Sequence, residues 1–261
     1  MTEYALVVKD LGHVYADGTQ ALRGISLHIQ PGERVALVGA NGSGKSTLQR
    51  HINGLLSPSH GEVWVHDLPV IPPHLAQIRQ WVGMVFQNPD DQLFMPTVAE
   101  DIAFGLKNFG VPPQDWEAIV HNALQAVDLD PNKYAHRYPD RLSGGEKKRV
   151  AIAGILALKP RILVLDEPTA QLDPRARRQL MALLQTLPTT QIIATHDLDL
   201  ALDLCDRTLI LSQGHLTYDG STQTVMADEP FLHHQGLEAP LSFRRPYCDL
   251  PNRGGSGLPT H

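Results

Sequence analysis

The sequence predicts an α/β fold with a mostly parallel central β-sheet, and three observations lead to it. Short apolar segments that predict strands alternate with longer segments that predict helices, which is typical of a parallel sheet. A glycine-rich turn at residues 39–47 lies between a predicted strand and a predicted helix. Two adjacent acids, Asp166 and Glu167, directly follow a strand of four apolar residues. The last two features place polar chemistry at the ends of buried strands.

The segments that predict strands and helices follow one another along most of the chain. The predicted strands are residues 4–8, 25–29, 34–38, 62–65, 82–86, 162–165, 191–194 and 207–211. The predicted helices begin at about Lys45 and span 97–108, 114–127 and 143–158. We interpret the helical stretch at about 88–160 as a subdomain inserted into the sheet domain. The last residues, NRGGSGLPTH at 252–261, are expected to be flexible.

Length and composition limit the class of protein. The chain has 261 residues, 42% apolar and 19% charged, which is typical of a folded globular protein. A net charge of −6 argues against a broad nucleic-acid-binding face. The N-terminus lacks the features of a signal peptide, and the longest apolar stretch, residues 151–158, is far below the ~20 residues of a membrane-spanning helix. We therefore expect neither secretion nor membrane insertion, and any work at a membrane requires a partner.

Cysteine and histidine patterns do not predict a metal centre. Cys205 and Cys248 lie far apart, which favours reduced thiols over a disulfide. The thirteen histidines are scattered, and the sequence has no Cys-x-x-Cys pair. Zinc-type ligand spacing is therefore absent.

Residues 39–47, GANGSGKST, match the Gly-x-x-x-x-Gly-Lys-[Ser/Thr] pattern of a phosphate-binding loop. Glycines allow backbone N–H groups to surround phosphate oxygens, and the following helix contributes its positive dipole end. Lys45 is expected to reach the β- and γ-phosphates, and Ser46 to ligate Mg²⁺. The predicted nucleotide-binding residues of this loop are Gly39, Asn41, Gly42, Ser43, Gly44, Lys45, Ser46 and Thr47.

The segment ILVLDEP, residues 162–168, supplies two acids with different expected roles. Successive residues of a strand point to opposite sides, so the two carboxylates cannot share one role. We assign Asp166 to Mg²⁺ through water and Glu167 to the attacking water as general base. His196 follows the strand at 191–194 and has two open interpretations. It is either a neighbour of a helix cap or a residue that contacts the γ-phosphate or orients the water.

The stretch LSGGE, residues 142–146, contains a conflict that points to function. Ser143 and Glu146 form a capping box, which can start a helix by itself. Gly144 and Gly145 in the first turn destabilise that helix by ~1 kcal/mol each relative to Ala. This cost is explained if bare N–H groups contact an anion. Because residues 39–47 already supply one phosphate cradle, we expect this second one to serve the same nucleotide from another molecule.

Taken in order, these motifs resemble those of ATP-binding-cassette (ABC) ATPases, over roughly residues 3–237. The matching features are the phosphate loop, Gln87, LSGGE, LVLDEP, LDP at 172–174 and His196. The resemblance implies an ATP- and Mg²⁺-dependent P-loop NTPase of RecA-like fold, with an antiparallel β subdomain beside the parallel sheet. It implies a nucleotide-binding domain at 1–237 and a C-terminal tail at 238–261.

The same resemblance implies a head-to-tail dimer with a second ABC ATPase subunit, identical or different. Each ATP would lie between one phosphate loop and the Ser143, Gly144 and Gly145 of the other subunit. It further implies three roles, one for each of three residues. Tyr15 stacks on adenine, Gln87 senses Mg²⁺ and the attacking water, and Asp173 communicates across the dimer.

Within the family, the chain resembles the ATPases of energy-coupling-factor importers, above all the cobalt, nickel and biotin branch. This likeness rests on QNPDDQLF, TVAEDIAFG, KKRVAIAG and the end segment GLEAPLSF. Gly154 replaces the Arg that most cassettes have, as it often does in this subgroup. Gln171 departs from the usual Gly or Ser before Leu-Asp, a departure that affects the cross-dimer signal and leaves the catalytic roles intact. The cargo, a metal ion or vitamin, cannot be read from an ATPase that never touches it.

Three alternatives remain open at the sequence level. A soluble cassette ATPase of translation or DNA repair carries two cassettes or a long coiled-coil insertion, and this chain has neither. A P-loop GTPase or kinase leaves LSGGE and His196 unexplained. The ATPase of an ordinary ABC importer or exporter fits most of the motifs.

The segment QNPDDQLFMPTVAEDIAFG, residues 87–105, mixes acids with apolar residues and predicts a docking groove. Thr97 and Glu100 form a capping box, and Val98, Ile102, Gly105 and Leu106 form one stripe toward the core. Phe104 falls on another side of the helix, where it either fills a gap under a neighbour or contacts a partner. We expect Leu93, Phe94, Met95 and Phe104 to line a groove rimmed by Asp90, Asp91, Glu100 and Asp101. A helix of an integral membrane subunit would dock there and hold the ATPase at the cytoplasmic face of the membrane.

Overall fold

A computed structural model describes residues 3–243 and contains two β-sheets and a group of helices. The strands are β1 Leu6–Val14, β2 Gln20–Ile29, β3 Arg34–Val38, β4 His60–Val65, β5 Leu68–Pro69, β6 Val82–Val85, β7 Ile162–Asp166, β8 Thr190–Ala194, β9 Arg207–Ser212 and β10 His215–Ser221. The α-helices are α1 Lys45–Ile52, α2 Leu75–Trp81, α3 Val98–Asn108, α4 Pro113–Ala126, α5 Pro131–Tyr134, α6 Gly144–Leu156, α7 Pro174–Thr186, α8 Leu198–Leu204, α9 Thr222–Met226 and α10 Glu229–His234.

The six-stranded sheet has the order β10-β9-β3-β8-β7-β6, and only its β10 edge is antiparallel. Its inner strands are continuous apolar runs that are buried on both faces, as parallel strands covered by helices must be. The phosphate loop follows β3, and the acid pair lies at the end of β7, whose last residue is Asp166. Because β8 lies between β3 and β7, the ends of these strands converge on one site.

The four-stranded sheet, β2-β1-β4-β5, is antiparallel. Its inward side chains, including Leu11, Ile25 and Val65, pack into the same apolar cluster as Leu37 of β3. This cluster joins the antiparallel sheet to one face of the parallel sheet. The predicted α/β fold, with a mostly parallel sheet and an added antiparallel β subdomain, is confirmed.

Helices α3–α6 lie between β6 and β7 in the chain and form the helical subdomain. Thr97 and Ser143 start α3 and α6 with complete capping boxes, as predicted. Val98, Ile102 and Leu106 of α3 are fully buried in the cluster that covers the other face of the parallel sheet. Gly105 is half-buried and faces Leu158, so the buried stripe is narrower than predicted.

Several elements extend beyond the predicted segments. Strand β1 ends at Val14 rather than at residue 8, and β2 begins at Gln20 rather than at residue 25. An antiparallel pair with one exposed face tolerates polar residues, and these residues hide the strand pattern in the sequence.

The predicted flexible end at 252–261 and Cys248 lie outside the described residues. Among residues 3–243, no helix is both long and apolar enough to cross a membrane.

Candidate functional site

The phosphate loop forms a tight cradle between β3 and α1. Position 39 requires a glycine because the main chain of Leu211 lies close to it. A Cβ at this position would be 2.3 Å from the carbonyl oxygen of Leu211. Gly44 caps α1 with φ of 110°, a conformation that favours glycine. The Ser43 hydroxyl is buried without a hydrogen-bond partner. The loop therefore presents donors that its own fold leaves unsatisfied.

Two polar side chains of α1 face the acid at the end of β7. The Lys45 amine donates to the carbonyls of Gly39 at 2.6 Å and Ala40 at 3.1 Å. Burial lowers the pKa of Lys45, while Glu167 and Asp166 oppose this shift. The Ser46 hydroxyl lies 3.4 Å from Asp166 Oδ2. Burial and the nearby Glu167 charge raise the pKa of Asp166, so this carboxylate favours a cation beside it.

Glu167 is held apart from Asp166, on the side of β8. Its Oε1 accepts from the His196 backbone N at 2.9 Å and from His196 Nδ1 at 2.8 Å. Its Oε2 accepts from the Thr195 hydroxyl at 3.2 Å. Glu167 is buried and has a positive φ of 45°, a strained backbone for a side chain of this kind. The two adjacent acids thus have different surroundings, as the alternation of strand side chains predicts.

His196 connects this buried carboxylate to the solvent. Its side chain is 73% exposed, although its Nδ1 is held by Glu167. The imidazole therefore lies at the mouth of the site with its other nitrogen free of the Glu167 contact. His196 is the neighbour of Asp197, which caps α8, and it also contacts Glu167 and lines the cleft, so both interpretations of His196 describe its position.

One cleft of about 1080 Å³ brings most of the predicted site residues together. Its lining includes the phosphate loop, the acid pair, Gln87 and His196. Tyr15 lies in its wall, and its hydroxyl shares a hydrogen bond of 2.9 Å with Thr47 Oγ1. Sequence reasoning missed several wall residues that come from separate elements and carry no motif. They are Thr19, Gln20, Ala21, Arg23, Leu198, Gln213, Gly214, Gly236, Leu237 and Glu238.

Four predicted residues lie outside this cleft. Ser143, Gly144 and Gly145 start α6, and Asp173 caps α7 by accepting from Arg175 N and Ala176 N. A Cβ on Gly144 would meet no atom within 4 Å, so the start of α6 is open to a neighbour. One copy of the chain therefore does not bring these residues to its own cleft.

The predicted groove exists but is lined differently. Phe94 and Phe104 are 64% and 39% exposed, with ring centres 4.8 Å apart and an edge-to-face arrangement. The groove encloses about 140 Å³, and its lining includes Leu93, Asp101 and Gly154. Met95, which was predicted to line the groove, is not among the residues of its lining.

Two of the expected rim acids are used elsewhere. Asp90 forms an ion pair with Lys147 at 2.6 Å, and the Glu100 carboxylate completes the capping box of Thr97. Asp101 remains at the groove, where its Oδ1 accepts from Phe94 N and Met95 N. Burial raises the pKa of Asp101. The rim is therefore less acidic than the sequence predicts.

The residues of the cleft fit a nucleoside triphosphate together with a bound metal ion. It combines a glycine cradle, a lysine that now rests on loop carbonyls, and the unpartnered Ser43 hydroxyl. A serine hydroxyl and a carboxylate, from Ser46 and Asp166, are the hard oxygen donors that Mg²⁺ prefers. Together, these groups are of the kind that binds phosphate at the N-terminus of a helix.

Comparison with known proteins decides the family. The family model described as ABC transporter matches residues 22–170. The chain belongs to the ABC transporter ATPases. It is thus an ATP-binding, ATP-hydrolysing transporter subunit, and the prediction of this family from its motifs is confirmed.

Among relatives of this cassette is a putative ABC transporter ATP-binding protein of Gloeobacter violaceus. It is 52% identical, and the match covers 92% of this chain and 98% of the relative. The energy-coupling factor transporter ATP-binding protein EcfA of Methanothermobacter thermautotrophicus is 45% identical, over 94% of this chain and 78% of the relative. The predicted resemblance to the energy-coupling-factor subgroup is therefore confirmed.

Solved structures agree with this cassette in fold. CbiO1 of Clostridium perfringens, part of the ABC transporter complex CbiONQ, has a TM-score of 0.77 and 39% identity, covering 89% of this chain and 94% of that one. A dimeric ATP-binding cassette bound to ADP and phosphate also has a TM-score of 0.77, at 29% identity, covering 83% of this chain and 98% of the other. That structure and a second structure of the same cassette are both dimeric.

Proposed function

We propose that this cassette is the ATPase of an energy-coupling-factor importer, which powers uptake of cobalt, nickel or a vitamin through a membrane partner. The observation that carries the proposal is the open aromatic groove beside the Gln87 segment, in a chain 45% identical to EcfA. Gly154 lines this groove, and a glycine at this position is a feature that the resemblance assigns to the energy-coupling-factor subgroup. The runner-up is an ordinary ABC importer or exporter, whose ATPase has the same motifs.

The proposed chemistry divides among residues of the cleft. Bound Mg²⁺ would neutralise charge on the phosphates, with Ser46, Gln87 and Asp166 as its proposed holders. Glu167 takes a proton from the attacking water, and its position is fixed by the hydrogen bonds of Thr195 and His196. Glu167 is buried, so its carboxylate is shielded from bulk solvent and lies beside the water that it is proposed to activate. The exposed face of His196 orients the reacting groups.

A second cassette subunit completes the nucleotide-binding site. Ser143, Gly144 and Gly145 are open to a neighbour and lie outside the cleft of their own chain, which supports a role across the dimer. Tyr15 is proposed to stack on adenine from the cleft wall, and Asp173 to contact the partner subunit. This arrangement requires two copies or a related second cassette.

Lys45→Ala should weaken ATP binding because it removes a charged donor to the phosphates. We expect affinity to fall by about 10- to 100-fold, since hydrogen bonds to charged groups contribute about 1.5–3 kcal/mol. Isothermal titration with ATP measures the change, and the exposed Lys107→Ala serves as the matched control. Equal affinity of Lys45→Ala and wild type would remove Lys45 from the site.

The groove is proposed to receive a short helix of the membrane subunit. Its lining includes the apolar side chains of Leu93, Phe94 and Phe104. Asp101 belongs to the same lining, with its Oδ2 buried and without a hydrogen-bond partner. A helix with small apolar residues and a basic side chain matches this surface in shape and charge. Docking there would hold the cassette at the cytoplasmic face of the membrane.

Phe104→Asp should abolish membrane recruitment while leaving the protein folded. Phe104 is partly exposed, so an Asp is tolerated in the free chain but is unfavourable under an apolar partner helix. The measurement is the membrane-bound fraction, with melting temperature and ATP affinity determined on the same samples. Leu55→Asp is the matched control, because Leu55 is 48% exposed and does not line the groove. Unfolding of Phe104→Asp would mean that Phe104 belongs to the core.

Affinity purification of the cassette from native membranes, followed by mass spectrometry, tests the transporter type. The proposal predicts recovery of an integral membrane subunit related to a member of the CbiONQ complex, to which the similar CbiO1 belongs. Recovery of membrane proteins unrelated to that complex would identify an ordinary importer or exporter instead. Recovery without any membrane protein would favour a non-transport role.

A further inference from the structure

A buried lysine connects two segments that carry candidate site residues. Lys148 lies in α6 and is only 2% exposed. Its amine donates to the carbonyl oxygen of Gln87 at 2.7 Å and to that of Phe86 at 3.1 Å. Among residues 3–243, no ion pair includes Lys148, although Asp166 and Glu167 favour its charged form. Burial dominates and lowers the pKa of Lys148 to about 8.

A lysine in this place is expensive for the fold. Burying an amine costs free energy that its hydrogen bonds only partly return, and an apolar side chain of similar volume buries more easily. The pattern of polar and apolar residues along α6 does not require a lysine at position 148 either. What distinguishes Lys148 is therefore the pair of carbonyls that it holds at the end of β6.

Those carbonyls belong to the segment that brings Gln87 to the nucleotide cleft. Gln87 lines the cleft, whereas Ser143, which starts α6, is open to a neighbouring subunit. Lys148 lies five residues after Ser143 on the same helix. One side chain thus joins the main chain at Gln87 to the helix that presents Ser143.

Two further contacts fasten the same segment to the same helix. The Lys147 amine pairs with Asp90 at 2.6 Å, and Gln92 Nε2 donates to the Ala151 carbonyl at 2.9 Å. Gln92 Oε1 also accepts from Phe86 N at 3.3 Å, which closes the segment on itself. Residues 86–92 are therefore attached to α6 at three positions, with Lys148 at the buried end nearest the cleft.

We propose that Lys148 is a positioning residue that makes Gln87 move together with the helix that starts at Ser143. This inference rests on the roles proposed above for Gln87 and Ser143. When α6 shifts toward the nucleotide of a partner subunit, the Gln87 carbonyl shifts with the Lys148 amine. Gln87 then reaches its working position in one cleft only as Ser143 reaches the other.

The test compares Lys148→Met with wild type in the full-length protein. Met fills a similar volume but leaves both carbonyls without their donor. We expect faster amide hydrogen exchange in residues 86–92 of the nucleotide-free protein. We also expect kcat for ATP hydrolysis to fall by about tenfold or more with KM nearly unchanged, as for a misplaced catalytic group. Lys107→Met, an exposed lysine of α3, should match wild type in both measurements.

A double-mutant cycle separates this inference from the proposed role of Gln87. Gln87→Ala alone should reduce kcat, and adding Lys148→Met should cost nothing further. If Gln87→Ala keeps full activity, the role of Gln87 fails. If Gln87→Ala is impaired while Lys148→Met has wild-type exchange and kcat, the Lys148 inference fails.

Lys148→Gln covers the case in which the Met variant does not fold. Its shorter side chain has a single donating nitrogen, which reaches at most one of the two carbonyls. We expect amide exchange in residues 86–92 to be faster than in wild type and kcat to be lower. Wild-type values in both measurements would overturn the proposal.

Discussion

Glu167→Gln is expected to bind ATP normally and to lose turnover. The amide keeps an acceptor for His196 and can donate to the Thr195 hydroxyl, so the local fold survives. It cannot take a proton from water, and loss of a general base reduces kcat by about 10²–10⁴-fold. Steady-state hydrolysis and ATP titration measure the two properties separately. The exposed Glu229→Gln provides a charge-matched control.

The same variant should trap the dimer, because ATP stays between the subunits when it is not hydrolysed. Analytical ultracentrifugation with ATP would then show a stable dimer, whereas wild type returns to monomer as ATP is consumed. Hydrolysis by Glu167→Gln at the wild-type rate would refute the general-base assignment. Loss of ATP binding would instead indicate that Glu167 shapes the phosphate cradle.

Ser143→Arg is expected to leave ATP binding to the monomer intact and to prevent ATP-dependent dimerisation. The bulky cation would occupy the open space at the start of α6, where a partner's nucleotide is proposed to lie. Substitution also removes the side chain that accepts from Glu146 N, which costs about 1 kcal/mol of stability. Sedimentation with and without ATP measures the effect.

Ser143→Ala is the matched control for this cap. Both variants lose the hydroxyl acceptor and should have similarly lowered melting temperatures, but only the arginine adds bulk and charge. Dimerisation by Ser143→Arg at wild-type ATP concentrations would contradict the shared site. A monomer that fails to bind ATP would also contradict it, since Ser143 lies outside its own cleft.

The parts of the fold that could be predicted are those in which a local rule and the tertiary structure agree. The capping boxes at Thr97 and Ser143 located two helix starts, and buried apolar runs located the inner parallel strands. The antiparallel strands β1, β2 and β4 are longer than predicted, and β5 and β10 were not predicted, because exposed faces of these strands carry polar residues. The four-residue α5 is too short to have a helical period.

Within the site, motifs predicted the residues that are proposed to touch phosphate but not those that support them. Thr195 holds Glu167, yet nothing about a threonine after a strand indicates this. Lys148 would be expected at the surface of its helix, and only the approach of the β6 end explains its burial. Asp90 was expected at the groove rim, but Lys147 is close enough to pair with it. Such pairings depend on distant segments that meet only in the folded chain.

The most direct test of the shared nucleotide site mixes two defective proteins, Lys45→Ala and Ser143→Arg. In their mixed dimer, one interface combines the intact Lys45 of one subunit with the intact Ser143 of the other, while the second interface carries both lesions. We predict that ATP drives formation of this heterodimer and restores part of the hydrolysis that each protein lacks alone. Sedimentation of differently labelled subunits, with hydrolysis assayed on the same mixture, measures both effects. No heterodimer and no recovered activity would contradict a nucleotide site built from two subunits.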